Sequence, residues 1–141
     1  MKLSRKNNIV ALFVLALIVV GSYFWLTSDQ PENKTGRPIA DVKVPELTIA
    51  AQSGKQVFDK NCASCHGNNA AGQEGKAPPL VHRIYEPSHH GDMSFVRAVK
   101  NGVRAHHWPF GNMPPVDGIT DVEIQNIILY VRELQKANGI N

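Results

Sequence analysis

The chain has 141 residues, 43% of them hydrophobic and 19% charged, with a formal net charge of +3 at pH 7. That length admits one small domain with accessories. The surplus charge is local: Lys2, Arg5 and Lys6 stand without an acid in residues 1–26, while 27–52 carry −1 and 53–141 carry +1. The body is close to neutral, so no basic stripe points to nucleic acid.

Residues 1–8 read as a short cytoplasmic N-terminus. From Ile9 to Leu26 the chain runs without a charge (IVALFVLALIVVGSYFWL). As a helix this run is about 27 Å long, enough to cross a hydrocarbon core of roughly 30 Å. Tyr23 and Trp25 sit at its far end, where amphipathic rings favour the interface, and the positive flank places everything beyond on the outer side. A cleaved signal peptide is the alternative, with Val19 and Gly21 as small residues before the cut. Its apolar region is usually about 7–15 residues long and ends in an A-x-A-like site, which is missing here. The 9–26 segment is therefore expected to be a transmembrane signal-anchor, and the rest is exported on either reading.

Residues 27–52 turn polar and proline-containing and read as an extracytoplasmic linker. As a flexible chain, this length reaches about 25–30 Å. The Asn33-Lys34-Thr35 triplet is formally a glycosylation sequon, a match too short to carry weight.

Residues 53–141 form the compact domain, with three expected helices. The first runs over about Gln52–Asn61, with Ser53 as cap. The second starts on Asp92 as N-cap and stops at Gly102. The third opens on a Thr120/Glu123 capping box, carries Ile124, Ile127, Ile128, Val131 and Leu134 as one apolar stripe, and ends near Ala137. Residues 67–91 hold glycines and prolines but few apolar side chains, so the domain is short of hydrophobic material for its size. A large buried cofactor would supply the missing core.

Cys62-Ala63-Ser64-Cys65-His66 names that cofactor, because C-x-x-C-H is the attachment signature of haem c. Two thiols three positions apart on a helical turn project to one side and can add to the two vinyl groups of one haem. The next residue, His66, then lies under the iron as an axial ligand. A redox C-x-x-C would want a βαβ setting, and a zinc site a second ligand pair at the right spacing. With no other cysteine in the chain, no disulfide framework competes. For the second axial position the candidate is Met113, in Gly-Asn-Met-Pro-Pro. Thioether ligation favours ferrous iron and raises the potential, and the two following prolines stiffen the backbone. Met93 is the rival, read instead as a packing residue in the first turn of the second helix.

The combination of CASCHG, a GNMPP loop and a final amphipathic helix resembles class I, mono-haem cytochromes c. The resemblance covers residues 53–137 and implies an all-α fold, three main helices around one covalently bound haem, here preceded by the single N-terminal transmembrane helix. It also implies that the first and last helices cross through Gly54 and Phe58 on one and Ile127 and Tyr130 on the other. Pro78 or Pro79 would offer the carbonyl that accepts the proton of the axial histidine.

Four further imidazoles, His89, His90, His106 and His107, stand in PSHHGDM and RAHHWPFGNM. They read either as surface or hydrogen-bonding histidines or as a second metal site. Imidazoles beside Met93 or Asp92 would favour copper there, and replacement of Met113 by His106 or His107 on the iron is a third reading. His82, Arg83, Arg104 and Trp108 are candidates for contacts to haem propionates, which need donors when buried.

The sequence thus describes a single-haem electron carrier, not itself an enzyme, tethered to the outer face of a bacterial cytoplasmic membrane, His/Met-ligated and cycling Fe(II)/Fe(III). Its partners are redox proteins of unstated identity. Two alternatives stay open: the electron-entry subunit of a larger oxidoreductase complex, and a haem-based sensor or enzyme in which Met113 is displaced by a small ligand.

Overall fold

A computed structural model describes residues 5–28 and 36–141, without the side chains of 5–11, 13 and 26–28. Lys2, Asp29, Glu32 and the Asn33-Lys34-Thr35 triplet fall outside the described residues, as do the side chains of Arg5, Lys6 and Leu26. The structure divides into two units, one containing helix α1 (Arg5–Ser28) and the other containing everything from Gly36 onward. In the first unit the described side chains, from Leu12 to Trp25, are exposed on every face of the helix. Among the described residues, no helix is long and apolar enough to cross a membrane.

The second unit is helical: α2 (Ile49–Asn61), α3 (Ala63–His66), α4 (Asp92–Asn101) and α5 (Asp121–Ala137), with 3-10 turns at Asn68–Ala70 and Arg83–Tyr85. Helix α5 starts as its sequence demands. The Thr120 hydroxyl accepts the Glu123 N–H, and the Glu123 carboxylate accepts the Thr120 N–H, which satisfies two of the donors a helix start leaves open. Its stripe Ile124, Ile127, Ile128, Val131 and Leu134 is buried, joined by Tyr130 and Gln135.

Helix α2 begins three residues before the expected Gln52. Thr48, not Ser53, is the N-cap, its hydroxyl accepting the Ala51 N–H while donating to Glu133 on α5. A cap needs a residue with extended backbone ahead of the helix. Thr48 has it (φ −62°, ψ 160°), whereas Ser53 lies inside the helix. At α4 the N-cap is likewise Gly91. Asp92 is the first helical residue, and its carboxylate accepts from Arg132 Nε at 2.9 Å.

Helices α2 and α5 cross face to face. Gly54 sits where a Cβ would meet the Asn126 carbonyl oxygen at 1.9 Å, so only glycine lets the backbones come this close. One turn on, Phe58 and Tyr130 pack edge to face with centroids 5.5 Å apart. Around this crossing the core gathers Ala51, Ala70, Val81, Ile127, Val131 and Leu134. A smaller cluster of Val99, Ile124 and Ile128 joins α4 to α5.

The linker expected over 27–52 is, from Gly36 onward, laid against the domain. Ile39 and Ala40 donate their N–H groups to the Ala71 carbonyl, and Glu74 N–H donates to Arg37 O. The Asn138 side chain brackets Lys43, accepting its N–H at 2.9 Å and donating to its carbonyl at 2.8 Å. Val42 and Leu47 pack on the main core. The polar composition concealed this, because backbone groups and two scattered apolar side chains make most of the contacts.

Candidate functional site

Helix α2 runs straight into the C-x-x-C-H segment. Cys62 ends α2 and begins α3, and its carbonyl accepts from the N–H groups of Cys65 (3.1 Å) and His66 (2.9 Å). One turn of helix therefore carries both thiols and the imidazole. Neither cysteine is in a disulfide; Cys62 is half-buried and Cys65 exposed. Burial, helped by the neighbouring Cys65, pushes the Cys62 thiol up to about 11.

His66 is buried, and its Nδ1 lies 2.9 Å from the Pro78 carbonyl oxygen. A carbonyl only accepts, so Nδ1 carries the proton and the lone pair resides on Nε2. Of the two prolines singled out in the sequence, Pro78 makes this bond. Burial holds the His66 pKa below the usual imidazole range, against the smaller opposite pull of that carbonyl. A neutral imidazole with one nitrogen tied to a backbone carbonyl is the form that ligates a metal.

Met113 stands at the foot of a loop spanning 103–113. Its N–H and C=O exchange 2.9 Å hydrogen bonds with Val103 in an isolated antiparallel bridge. Gly102 makes the bridge possible: its φ is +72°, and a Cβ there would meet the Met113 carbonyl oxygen at 2.5 Å. Beyond the two prolines, Val116 N–H donates to Val99 O at 2.8 Å. The backbone of Met113 is thus pinned from both sides. Met93, expected to pack, is instead exposed on the first turn of α4.

The propionate candidates separate. Arg83 and Arg104 are exposed. His82 and Trp108 are half-buried and meet edge to face with centroids 5.1 Å apart. His82 Nδ1 accepts the Ile84 N–H at 3.2 Å, so a neutral ring carries its proton on Nε2 as a donor. The Trp108 Nε1–H is buried without a hydrogen-bond partner. It lies near enough to the Tyr85 hydroxyl to oppose the burial that raises that phenol, yet not in bonding geometry. A buried donor left unpaired is costly, and an anionic group bound beside it would satisfy it.

Two residues that the sequence did not single out hold the 80–90 segment in place. Gln135, 1% exposed, donates from Nε2 to Leu80 O (2.8 Å) and Tyr85 O (3.0 Å) and accepts from Arg132 (2.6 Å). Arg132 also donates to Tyr85 O (2.8 Å) and His90 O (2.6 Å), with its guanidinium over the Phe95 ring. The only sequence sign was a glutamine interrupting the apolar face of α5.

Of the four extra histidines, three come together: one ring nitrogen from each of His89, His90 and His107 lies within 4.8 Å of the others. His106 lies beside them, its ring centroid 4.2 Å from that of His107 and tilted by 50°, but is not one of the three, and Asp92 does not join them. The His107 pKa is lowered, first by loss of hydration and then by the neighbouring imidazoles.

The helical fold and the Cys-turn-His segment define a c-type cytochrome domain. The chain belongs to the cytochrome c family, whose profile matches residues 51–135; that family carries covalently attached haem c and transfers electrons. Among known proteins it is similar to the Cbb3-type cytochrome c oxidase subunit CcoP of Azospirillum brasilense. The two are 39% identical over 92 residues, covering 60% of this chain and 28% of that one. It is 35% identical over 120 residues to the Cbb3-type cytochrome c oxidase subunit FixPc of Rhizobium leguminosarum bv. viciae, covering 82% of this chain and 33% of the relative. The chain thus spans about a third or less of the length of these curated relatives. Nothing in these likenesses speaks for copper.

The residues present fit haem. Two unpaired thiols share one turn with an imidazole whose Nε2 is unprotonated, and Trp108 offers a buried N–H without an acceptor.

Proposed function

We propose that residues 36–141 are a single-haem electron-transfer domain in which Cys62 and Cys65 would hold the haem covalently and His66 and Met113 would ligate its iron. Bound there, the haem iron supplies the one-electron Fe(II)/Fe(III) couple. The observation that carries the reading is the His66 Nδ1–H bond to Pro78 O on the same turn as both cysteines.

The chain's own residues do the rest. The Pro78 carbonyl fixes the His66 tautomer and ring plane and makes Nε2 a stronger donor. The bridge to Val103 and the two prolines hold Met113 at a set place, which keeps a flexible thioether from wandering and limits rearrangement between oxidation states. His82 and Trp108 present N–H donors to the group's acidic substituents. Cys65 is exposed, so the attachment turn stands at the surface where a redox partner can approach.

The membrane tether belongs to the same proposal. The uncharged run of 9–26 behind Lys2, Arg5 and Lys6 favours a single span with the haem domain on the periplasmic side. The names of the relatives favour service as an electron port of a terminal oxidase over free shuttling. Co-purification of an oxidase from mild detergent tests that arm, and purification of the chain alone refutes it.

The ligand set is tested by the optical spectrum and potential of full-length protein matured in a host that attaches haem c. The oxidised protein shows the weak far-red sulfur-to-iron band, and Met113→Ala abolishes it and lowers the potential. A band unchanged in Met113→Ala refutes the assignment of Met113.

A further inference from the structure

We infer that His89, His90 and His107 form a binding site for one divalent late transition-metal ion of the Zn(II)/Cu(II) class, separate from the haem ligands. The inference does not depend on the electron-transfer reading.

The first support is convergence across the chain. His89 and His90 follow the 3-10 turn Arg83–Tyr85, whereas His107 stands in the loop between Val103 and Met113. Their ring centroids nevertheless lie 4.6 Å (His89–His90), 5.4 Å (His89–His107) and 5.3 Å (His90–His107) apart. One ring nitrogen of each residue, Nδ1 or Nε2, falls within 4.8 Å of those of the other two. In a tetrahedral site with metal–nitrogen bonds of about 2.0–2.1 Å, the nitrogens stand about 3.3 Å apart. His89 and His107 are exposed and His90 half-buried, so the rings have freedom to close on an ion.

The second support is the arrangement behind the rings. Nδ1 of both His89 and His90 points at one acceptor, the Ile84 carbonyl oxygen, at 2.9 Å and 2.6 Å. A carbonyl cannot donate, so each Nδ1 is protonated and each neutral ring keeps its lone pair on Nε2. Imidazoles that ligate metals characteristically donate the other ring N–H to a carbonyl or carboxylate, which fixes tautomer and plane. This arrangement is present here before any ion binds. The backbone behind it is braced as well: His89 and His90 N–H groups donate to Glu86 O, and Arg132 binds His90 O at 2.6 Å.

Three imidazoles and an open fourth position suit Zn(II) or Cu(II), whose affinity for nitrogen ligands is high, and not the oxygen-seeking Mg(II) or Ca(II). His106 lies beside His107 and can approach the fourth position, but the three-ligand set does not require it. An ion held there ties the 84–90 segment to the loop that ends on Met113. Occupancy therefore braces that loop.

The test titrates ferric, full-length holo-protein in mild detergent with Zn(II) by calorimetry and with Cu(II) by electron paramagnetic resonance. One ion per chain binds with a Kd on the order of micromolar or tighter, the Cu(II) spectrum shows nitrogen hyperfine structure, and Zn(II) raises the melting temperature. His107→Ala and His89→Ala each weaken binding at least tenfold. All variants retain the haem spectrum and metal-free melting temperature of the parent. The inference is overturned by non-saturable binding, by a triple His89→Ala/His90→Ala/His107→Ala protein that binds as tightly as the parent, or by uptake only on dimerisation at one ion per two chains.

Discussion

Gly54→Ala sets two physical effects against each other with opposite signs. In an exposed helix interior the change stabilises by about 1 kcal/mol, because alanine loses less backbone entropy. In this chain the added methyl would sit 1.9 Å from the Asn126 carbonyl oxygen and 2.3 Å from its carbon. Contacts of a Cβ below 3.0 Å are essentially never seen, so α2 and α5 must part by about 1.1 Å. A gap of 0.5–1 Å forfeits roughly a quarter to a half of a dispersion well, and the loss is spread over the whole crossing. The Phe58–Tyr130 edge-to-face contact, a type worth about 0.5–1.5 kcal/mol beyond its area, loosens with it. Together these cost about 3–4 kcal/mol, at the upper end of overpacking effects. The net destabilisation is then about 2–3 kcal/mol, or a fall in melting temperature of roughly 10–20 °C for a domain of this size. Denaturant and thermal unfolding of the holo-protein measure it, with exposed Ser53→Ala on the same helix as a control that stabilises slightly. A Gly54→Ala protein as stable as the parent, or more so, would show that the two backbones do not pack as described.

Replacing Gln135 by Leu removes both donors to the 80–85 carbonyls; Tyr85 O keeps Arg132, but Leu80 O loses its side-chain partner. The expected loss is about 2–3 kcal/mol in urea unfolding, and a loss below about 0.5 kcal/mol would mean that water serves those carbonyls as well. The Glu123 carboxyl is held below its usual range chiefly by the Thr120 N–H and hydroxyl. A depressed folded pKa contributes stability that is present above the unfolded carboxylate pKa and is lost as pH falls through the folded one. Urea unfolding at neutral pH and again under acid should therefore show a smaller acid-dependent loss for Glu123→Gln than for the parent; equal losses would refute the capping charge.

Elements carried by local pattern were legible in the sequence. The stripe and capping box of α5 gave its start and inner face, because helical period and N-terminal hydrogen bonding are properties of neighbouring residues. The start of α2 and the cap of α4 were misplaced for a tertiary reason. Thr48 is confirmed as cap by Glu133, 85 positions away, and Asp92 is drawn off its cap by Arg132, 40 positions away. The strap from Gly36 was read as a linker because its composition is polar, yet its hydrogen bonds reach Ala71 and Asn138.

At the site the division is similar. Five consecutive residues, Cys62 to His66, by themselves pointed to the haem-attachment turn proposed above, since the chemistry needs two thiols and an imidazole at fixed local spacing. Which proline serves His66, which three of four histidines converge, and how Arg132 and Gln135 hold the loop beneath them were settled only by folding. Those contacts join positions 12 to 55 residues apart, and no local pattern encodes a distance that the chain reaches only when α2 and α5 have crossed.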